Sequence, residues 1–235
     1  MTHNKKHTRR LFSLSAVSAA ALLLAACDSG QDAGETGTDT AQEEAAEPAV
    51  DYSTMISAAE IRDGIAFGEI VVGNPDAPVT MIEYASLTCQ FCANFHRDSY
   101  PFILEEYIKT GRVRFVFRNY TRDRADLAVA MLSRCSGPEK VFDLMGVYFD
   151  RQPQWARPGV DPLPEIVDIA RRAGISRADV DACLGNTALQ NDIIEMFKQG
   201  QSDKLTGTPF FIVNGETFSG QGSIEEFTEL IEDNM

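Results

Sequence analysis

The chain has 235 residues, with 35 acidic and 21 basic side chains for a formal net charge of −14. That length suits one domain with appendages on a prior of about 100–200 residues per domain, and the acidic balance excludes a general nucleic-acid binder, which carries a basic footprint. His3 and His7 lie in the first ten residues, so His96 stands alone in the rest of the chain and a multi-histidine metal centre within one chain is excluded.

Residues 1–10 carry Lys5, Lys6, Arg9 and Arg10 and no acid, and 11–26 form an apolar run interrupted by three serines. A basic start, a short apolar stretch and a small-residue exit make a secretory signal. The run is short for a membrane span, which needs about 20 apolar residues. Its end, Leu24-Ala25-Ala26-Cys27, resembles the lipobox of bacterial lipoproteins. That resemblance implies cleavage before Cys27 and lipidation of its sulfur and its new amino group, a stable anchor at about 0.8 kcal/mol per buried methylene. Arg9-Arg10 and their neighbours also resemble a twin-arginine export signal, and Asp28 resembles an inner-membrane retention signal. Residues 27–51 then read as the lipidated cysteine and a linker. From 28 to 51 there are eight acids, no base and no aromatic, a composition that cannot offset its ordering entropy. As a flexible coil the linker reaches roughly 25–30 Å. From residue 52 onward the net charge is −10.

The region 52–235 reads strand, helix, strand, helices, strand, strand, helix. Residues 68–73 make a short strand that stops at the Asn74-Pro75-Asp76 turn, and 79–84 make a second. Helical spacing runs from 91 to 109, with a kink expected at Pro101. Residues 113–118 alternate with period two, the pattern of a strand. A helical stretch occupies about 122–203, with Ser176 and Asp179 resembling a capping box. Residues 210–213 and 216–218 flank Asn214-Gly215, a strong hairpin signal. Ser223 and Glu226 cap a last amphipathic helix. Trp155 falls in a Pro-rich loop and is assigned no role.

Chemistry concentrates at Cys89-Gln90-Phe91-Cys92, just after a strand and at the start of a helix. There the first thiol meets free amide N–H groups and the positive end of the macrodipole, which favour its thiolate. The second, one turn in, can attack a mixed disulfide and release product. Zinc and copper sites share this spacing, so a metal-handling module is the alternative from another class. A Cys89/Cys92/His96 set lacks an evident fourth ligand. His96 is expected to be an ordinary helix residue, at most lining a groove. Two further features accompany the pair. Thr208-Pro209 directly precedes a strand, and Glu83 lies six residues before Cys89.

Together these motifs resemble the thioredoxin superfamily, and more narrowly its DsbA-like branch of bacterial thiol-disulfide oxidoreductases. The resemblance covers residues 79–235. It implies an α/β class, a thioredoxin fold with an inserted α-helical domain. It also implies a cis Thr208-Pro209 bond packed against Cys89 and Cys92, with Thr208, Pro209, Gln90 and Phe91 facing substrate. Glu83 is implied to be a buried carboxylate near Cys92, expected to be unpaired, with a raised pKa, and able to exchange a proton with Cys92.

DsbA oxidases usually carry Pro-His between the cysteines, where this chain has Gln90-Phe91. Phe91 offers neither charge nor a hydrogen bond to a thiolate. Cys89 is therefore expected to be less acidic than in the strongest oxidases. The reduction potential should fall between about −120 mV for DsbA and about −270 mV for thioredoxin.

Cys135 and Cys183 remain, both in the helical stretch, either as a structural disulfide or as two buried thiols. Export to an oxidising compartment, and the second disulfide that some DsbA-like proteins carry in this insert, favour the bridge. The five cysteines then divide into one for lipid, two for exchange and two for structure. The expected protein is a monomeric, lipid-anchored periplasmic oxidoreductase at the outer face of the inner membrane, with no cofactor or metal. It would oxidise exported proteins and be reoxidised by a DsbB-like membrane partner. The alternative within redox chemistry is an isomerase or reductase. Those usually dimerise through an added N-terminal domain, which residues 28–67 look too short and too polar to supply.

Overall fold

The β-branched and aromatic runs of the chain build one six-stranded sheet in the computed structural model, which describes residues 55–235. The signal segment, Cys27 and the linker up to residue 51 lie outside the described residues. The strands are β1 (Ile56–Arg62), β2 (Ile65–Val72), β3 (Val79–Ala85), β4 (Val113–Asn119), β5 (Phe210–Val213) and β6 (Glu216–Ser219). Their order is β1-β2-β4-β3-β5-β6. Only β3 and β4 run parallel, in register from Val79 opposite Val113 to Ala85 opposite Asn119; the other neighbours are antiparallel. Covered on both faces, β3 and β4 tolerate near-continuous apolar sequence, as parallel strands do. Met81, Phe115 and Phe117 are all fully buried.

The helices are α1 (Gln90–Asp98), α2 (Tyr100–Ile103), α3 (Arg124–Cys135), α4 (Val141–Asp150), α5 (Gln152–Trp155), α6 (Leu163–Arg172), α7 (Arg177–Leu184), α8 (Thr187–Ser202) and α9 (Ile224–Glu232), with a π-helical turn at Leu104–Ile108. α3 to α8 form the helical insert between β4 and β5. Cys135, at the end of α3, is disulfide-bonded to Cys183 in α7, with Cα atoms 6.2 Å apart. The insert is tied to the sheet by the fully buried Arg134. Its Nε donates to Asn119 Oδ1 at 2.9 Å and a terminal nitrogen to the Ala66 carbonyl at 3.1 Å. Burial pulls the Arg134 guanidinium down to about 10. Asp192 of α8 adds a second tie, accepting from the Gly68 amide at 2.8 Å.

Four elements differ from the sequence reading. β1 was not expected, and β2 starts at Ile65 rather than Gly68. Most of β1 faces solvent, so it lacks an apolar alternation, yet it pairs with β2 through a two-residue turn. Asp63 and Gly64 have φ of 51° and 78°, the left-handed pair that a tight hairpin demands. Asn214 and Gly215, at 45° and 98°, do the same between β5 and β6. The helix expected over 91–109 is broken at Ser99 instead of kinked at Pro101. Pro101 lies in the first turn of α2, where a missing N–H costs nothing. Trp155 is a core residue of α5, not a loop side chain. It is almost completely buried, and its indole N–H donates to the Tyr148 carbonyl at 2.8 Å.

Candidate active site

β3 delivers the chain into the loop 86–88, and Cys89 is the N-cap of α1 with extended backbone at φ −85°, ψ 119°. No acidic side chain occupies the first turn, so the amides there are left to the sulfur. The Cys92 thiol holds the Cys89 thiol down to about 5 against the opposing effect of burial, helped by the Thr208 hydroxyl and the N–H groups of Cys92 and Phe91. That value lies between about 3.5 for the strongest oxidase and about 7 for thioredoxin. As a thiol, Cys89 Sγ donates to the Thr208 carbonyl at 3.2 Å. Cys92 is fully buried, and burial first, then Cys89 and Glu83, push its thiol well above the ordinary value. The surroundings of the two sulfurs therefore favour opposite protonation states, one ionised and one protonated.

The Thr208-Pro209 bond is cis. It brings Thr208 beside Cys89 across 119 residues of sequence. Thr208 precedes β5 and is not part of its ladder. Of the residues between the cysteines, Gln90 is exposed, and Phe91 is 59% exposed. The exposed phenyl ring two residues from Cys89 offers its sulfur no polar side-chain partner.

Glu83 is completely buried in β3, but it is not unpaired as expected. His96 Nε2 lies 2.8 Å from Glu83 Oε2. His96 is thus not the ordinary helix residue its sequence position suggests, because its partner lies on a strand that local spacing does not reveal. In α1 the histidine lies one turn beyond Cys92, and its ring turns inward to stack on Phe149, with centroids 4.4 Å apart. The other carboxylate oxygen, Oε1, is buried with no hydrogen-bond partner among the described residues. Glu83 thus keeps one acceptor free near Cys92. With His96 committed to Glu83, the Cys89/Cys92/His96 metal set does not assemble. Among the described residues no three His, Cys, Asp or Glu side chains converge to hold a metal ion.

Sequence reasoning missed the groups that hold the active-site loop. Asp126, in the first turn of α3, is fully buried. Its carboxylate accepts from Ser86 Oγ at 2.5 Å, the Leu87 amide at 2.8 Å and the Arg122 amide at 3.0 Å. Burial pushes the Asp126 carboxyl up to about 6, against these hydrogen bonds. Gln152 of α5 donates to the Leu87 carbonyl at 2.8 Å. Arg122 donates to the Thr88 carbonyl at 3.1 Å. The helical insert therefore fixes the three residues before Cys89. An acid in a first helical turn normally signals only the helix dipole, so nothing local marked Asp126 as a loop anchor.

Residues 66–233 match the family model described as Thioredoxin. A candidate protein-disulfide oxidoreductase of Rickettsia conorii is 29% identical over 180 residues, covering 75% of this chain and 64% of that relative. The chain thus spans a little under two thirds of the length of that relative. Disulfide bond formation protein D of Bacillus subtilis is 25% identical over 174 residues, 70% of this chain and 76% of its own. Among solved structures, alpha-DsbA1 of Wolbachia pipientis superposes with a TM-score of 0.65 at 29% identity, over 69% of this chain and 88% of that one.

Proposed function

Because the chain belongs to the thioredoxin family, we propose that it is a protein thiol-disulfide oxidoreductase that oxidises cysteine pairs of exported proteins. The observation that carries this reading is the split between the neighbouring thiols: Cys89 lowered to about 5 and Cys92 raised. In the oxidised enzyme a substrate thiolate attacks Cys89 Sγ. The Cys89–Cys92 bond breaks, and Cys92 leaves and takes up a proton. The substrate's second thiolate then attacks the substrate sulfur of the mixed disulfide. Cys89 departs as a stable thiolate, and a low leaving-group pKa makes that departure fast. Two electrons have passed from the substrate dithiol to the enzyme pair. Glu83, with its unpartnered oxygen and its hold on His96, is the group that supplies the Cys92 proton and recovers it on reoxidation. Thr208 and Pro209 align an extended substrate, with Gln90 and Phe91 as further contacts.

A Cys89 pKa near 5 supports a reduction potential between about −120 and −270 mV. Reoxidation falls to a membrane redox protein of the DsbB kind. The lipobox-like Cys27, with Asp28 and the acidic linker behind it, supports a lipid anchor at the periplasmic face of the inner membrane. The test is the redox state of Cys89 and Cys92 in intact cells, combined with Cys92→Ser to trap mixed disulfides. A mainly oxidised pair and trapped exported proteins are expected. A mainly reduced pair assigns the enzyme to isomerase or reductase work, and an absence of thiol exchange removes the reading.

A further inference from the structure

The surface beside Cys89 has the opposite sign to the chain that carries it. A hollow of about 540 Å³ is lined by Thr88, Arg122, Arg124, Trp155 and Arg157, with Asp123 as its acid. A second hollow, of about 500 Å³, shares Thr88, Ala156, Arg157 and Pro158 with the first and extends past Gln90 and Asn94 to Arg97, with Asp150 as its acid. The two adjoin at Thr88, the residue before the reactive sulfur.

The charge there is available. Arg62, Arg97, Arg112, Arg118, Arg172 and Arg177 each have a carboxylate within ion-pair distance. Among the described residues none closes on Arg122, Arg124 or Arg157. Arg122 instead grips Thr88 through its carbonyl and hydroxyl, and Arg157 donates to the Gln154 carbonyl at 3.1 Å. The acid of the first hollow is already engaged, since Asp123 caps α3 by accepting from the Asp126 amide at 2.9 Å. Three arginines free of carboxylates in one hollow are an unusual concentration in a chain with 35 acids and 21 bases.

We propose that this arginine-lined groove is a specificity surface that receives an acidic segment of the substrate polypeptide, carboxylates within a few residues of the cysteine being oxidised. The proposal rests on the exchange chemistry of Cys89 and names the substrates that chemistry favours. Arg122 fixes one positive charge against the loop that carries Cys89, and Arg124 and Arg157 extend it along the groove. Guanidinium groups bind carboxylates in a fork geometry. Complementary charge at a rim raises the encounter rate and suppresses partners of the wrong sign.

The test compares oxidation of three dithiol peptides that differ only in two flanking residues, Glu, Ser or Lys, by the intact protein at low ionic strength. Two exposed pairs replaced by two repulsions should favour the Glu peptide over the Lys peptide by about 5- to 10-fold in kcat/KM. Added salt should bring that ratio toward one. Arg124→Glu with Arg157→Glu should invert the ratio, and Arg124→Gln with Arg157→Gln should bring it near one. Because a ratio is read within each variant, a partial loss of folded protein does not imitate the result. Equal turnover of the three peptides by the unmodified protein, or a ratio unmoved by charge reversal, overturns the groove while leaving the exchange reading intact. Failure to oxidise any of the peptides overturns both.

Discussion

The two cysteine pairs of the described chain are a comparison in how surroundings decide what the same atom does. Cys135 and Cys183 bridge two helices of the insert, 48 residues apart in sequence. Cys89 and Cys92 are two thiols within one helical start. Cys135 ends α3, at the carbonyl end of the helix where an anion is disfavoured, and both sulfurs are consumed in the bond. Around the second pair, the Cys92 thiol, helped by Thr208 and the first amides of α1, stabilises Cys89 as an anion, while burial, Cys89 and Glu83 oppose ionisation of Cys92. In the exchange proposed for this pair, ionisation of Cys89 stabilises the reduced form, which is the property an oxidant needs.

The largest expected effect breaks the comparison outright. Cys89→Ser should lower peptide oxidation by on the order of a thousandfold or more, as loss of a nucleophile does. Cys135→Ser with Cys183→Ser should leave the rate within about twofold but lower the unfolding free energy by about 4 kcal/mol, the chain-entropy value for a loop of this length. Denaturant unfolding and a turnover assay on the same samples separate the two. A large loss of turnover in the second variant at a temperature where it remains folded would show that the structural pair also serves exchange.

A smaller effect tests the split within the exchange pair. The Cys92 thiol is the main group holding Cys89 down, so Cys92→Ala should raise the Cys89 pKa from about 5 toward its ordinary 9.0. Thiolate absorbance or alkylation rate against pH reads the shift, and an unchanged midpoint would rule out Cys92 as the cause. The linkage has a definite sign. Because the folded pKa is depressed, the thiolate stabilises the reduced fold fully above about pH 9 and loses that contribution as pH falls through about 5. At pH 7 it amounts to at most about 3 kcal/mol in favour of the reduced fold, less what solvent screening removes. The oxidised protein has no such titration.

The smallest effect concerns the coupling between the two regions. Asp126 belongs to the same helix as Cys135 yet holds the loop that carries Cys89. Its folded pKa is raised from 3.8 to about 6, so its contribution to stability is present below about pH 4 and is lost as pH rises through about 6. Asp126→Asn should flatten that part of the stability profile, by at most about 3 kcal/mol. A profile with the same slope in the variant would place the titration elsewhere.

Sequence alone determined what depends on near neighbours. The Cys-x-x-Cys spacing at a strand-to-helix junction defines the thiolate position, because helix amides act within one turn. The Asn214-Gly215 hairpin, the Ser223 cap and the apolar runs of β3 and β4 are equally local. The resemblance to DsbA-like proteins supplied the place of Thr208 and Glu83, which spacing alone could not. Tertiary structure decided the partners. His96 pairs with Glu83 because α1 packs its inner face over β3, and helical periodicity says which face turns inward but not what it meets. Asp126 and Gln152 grip residues 39 and 65 positions away in sequence. The exposed strand β1 is held by its ladder to β2 rather than by an apolar face, so its own sequence carried little of the signal. Local propensity selects elements through contacts a few residues apart, whereas the site is closed by hydrogen bonds whose partners exist only once the sheet and the insert have packed.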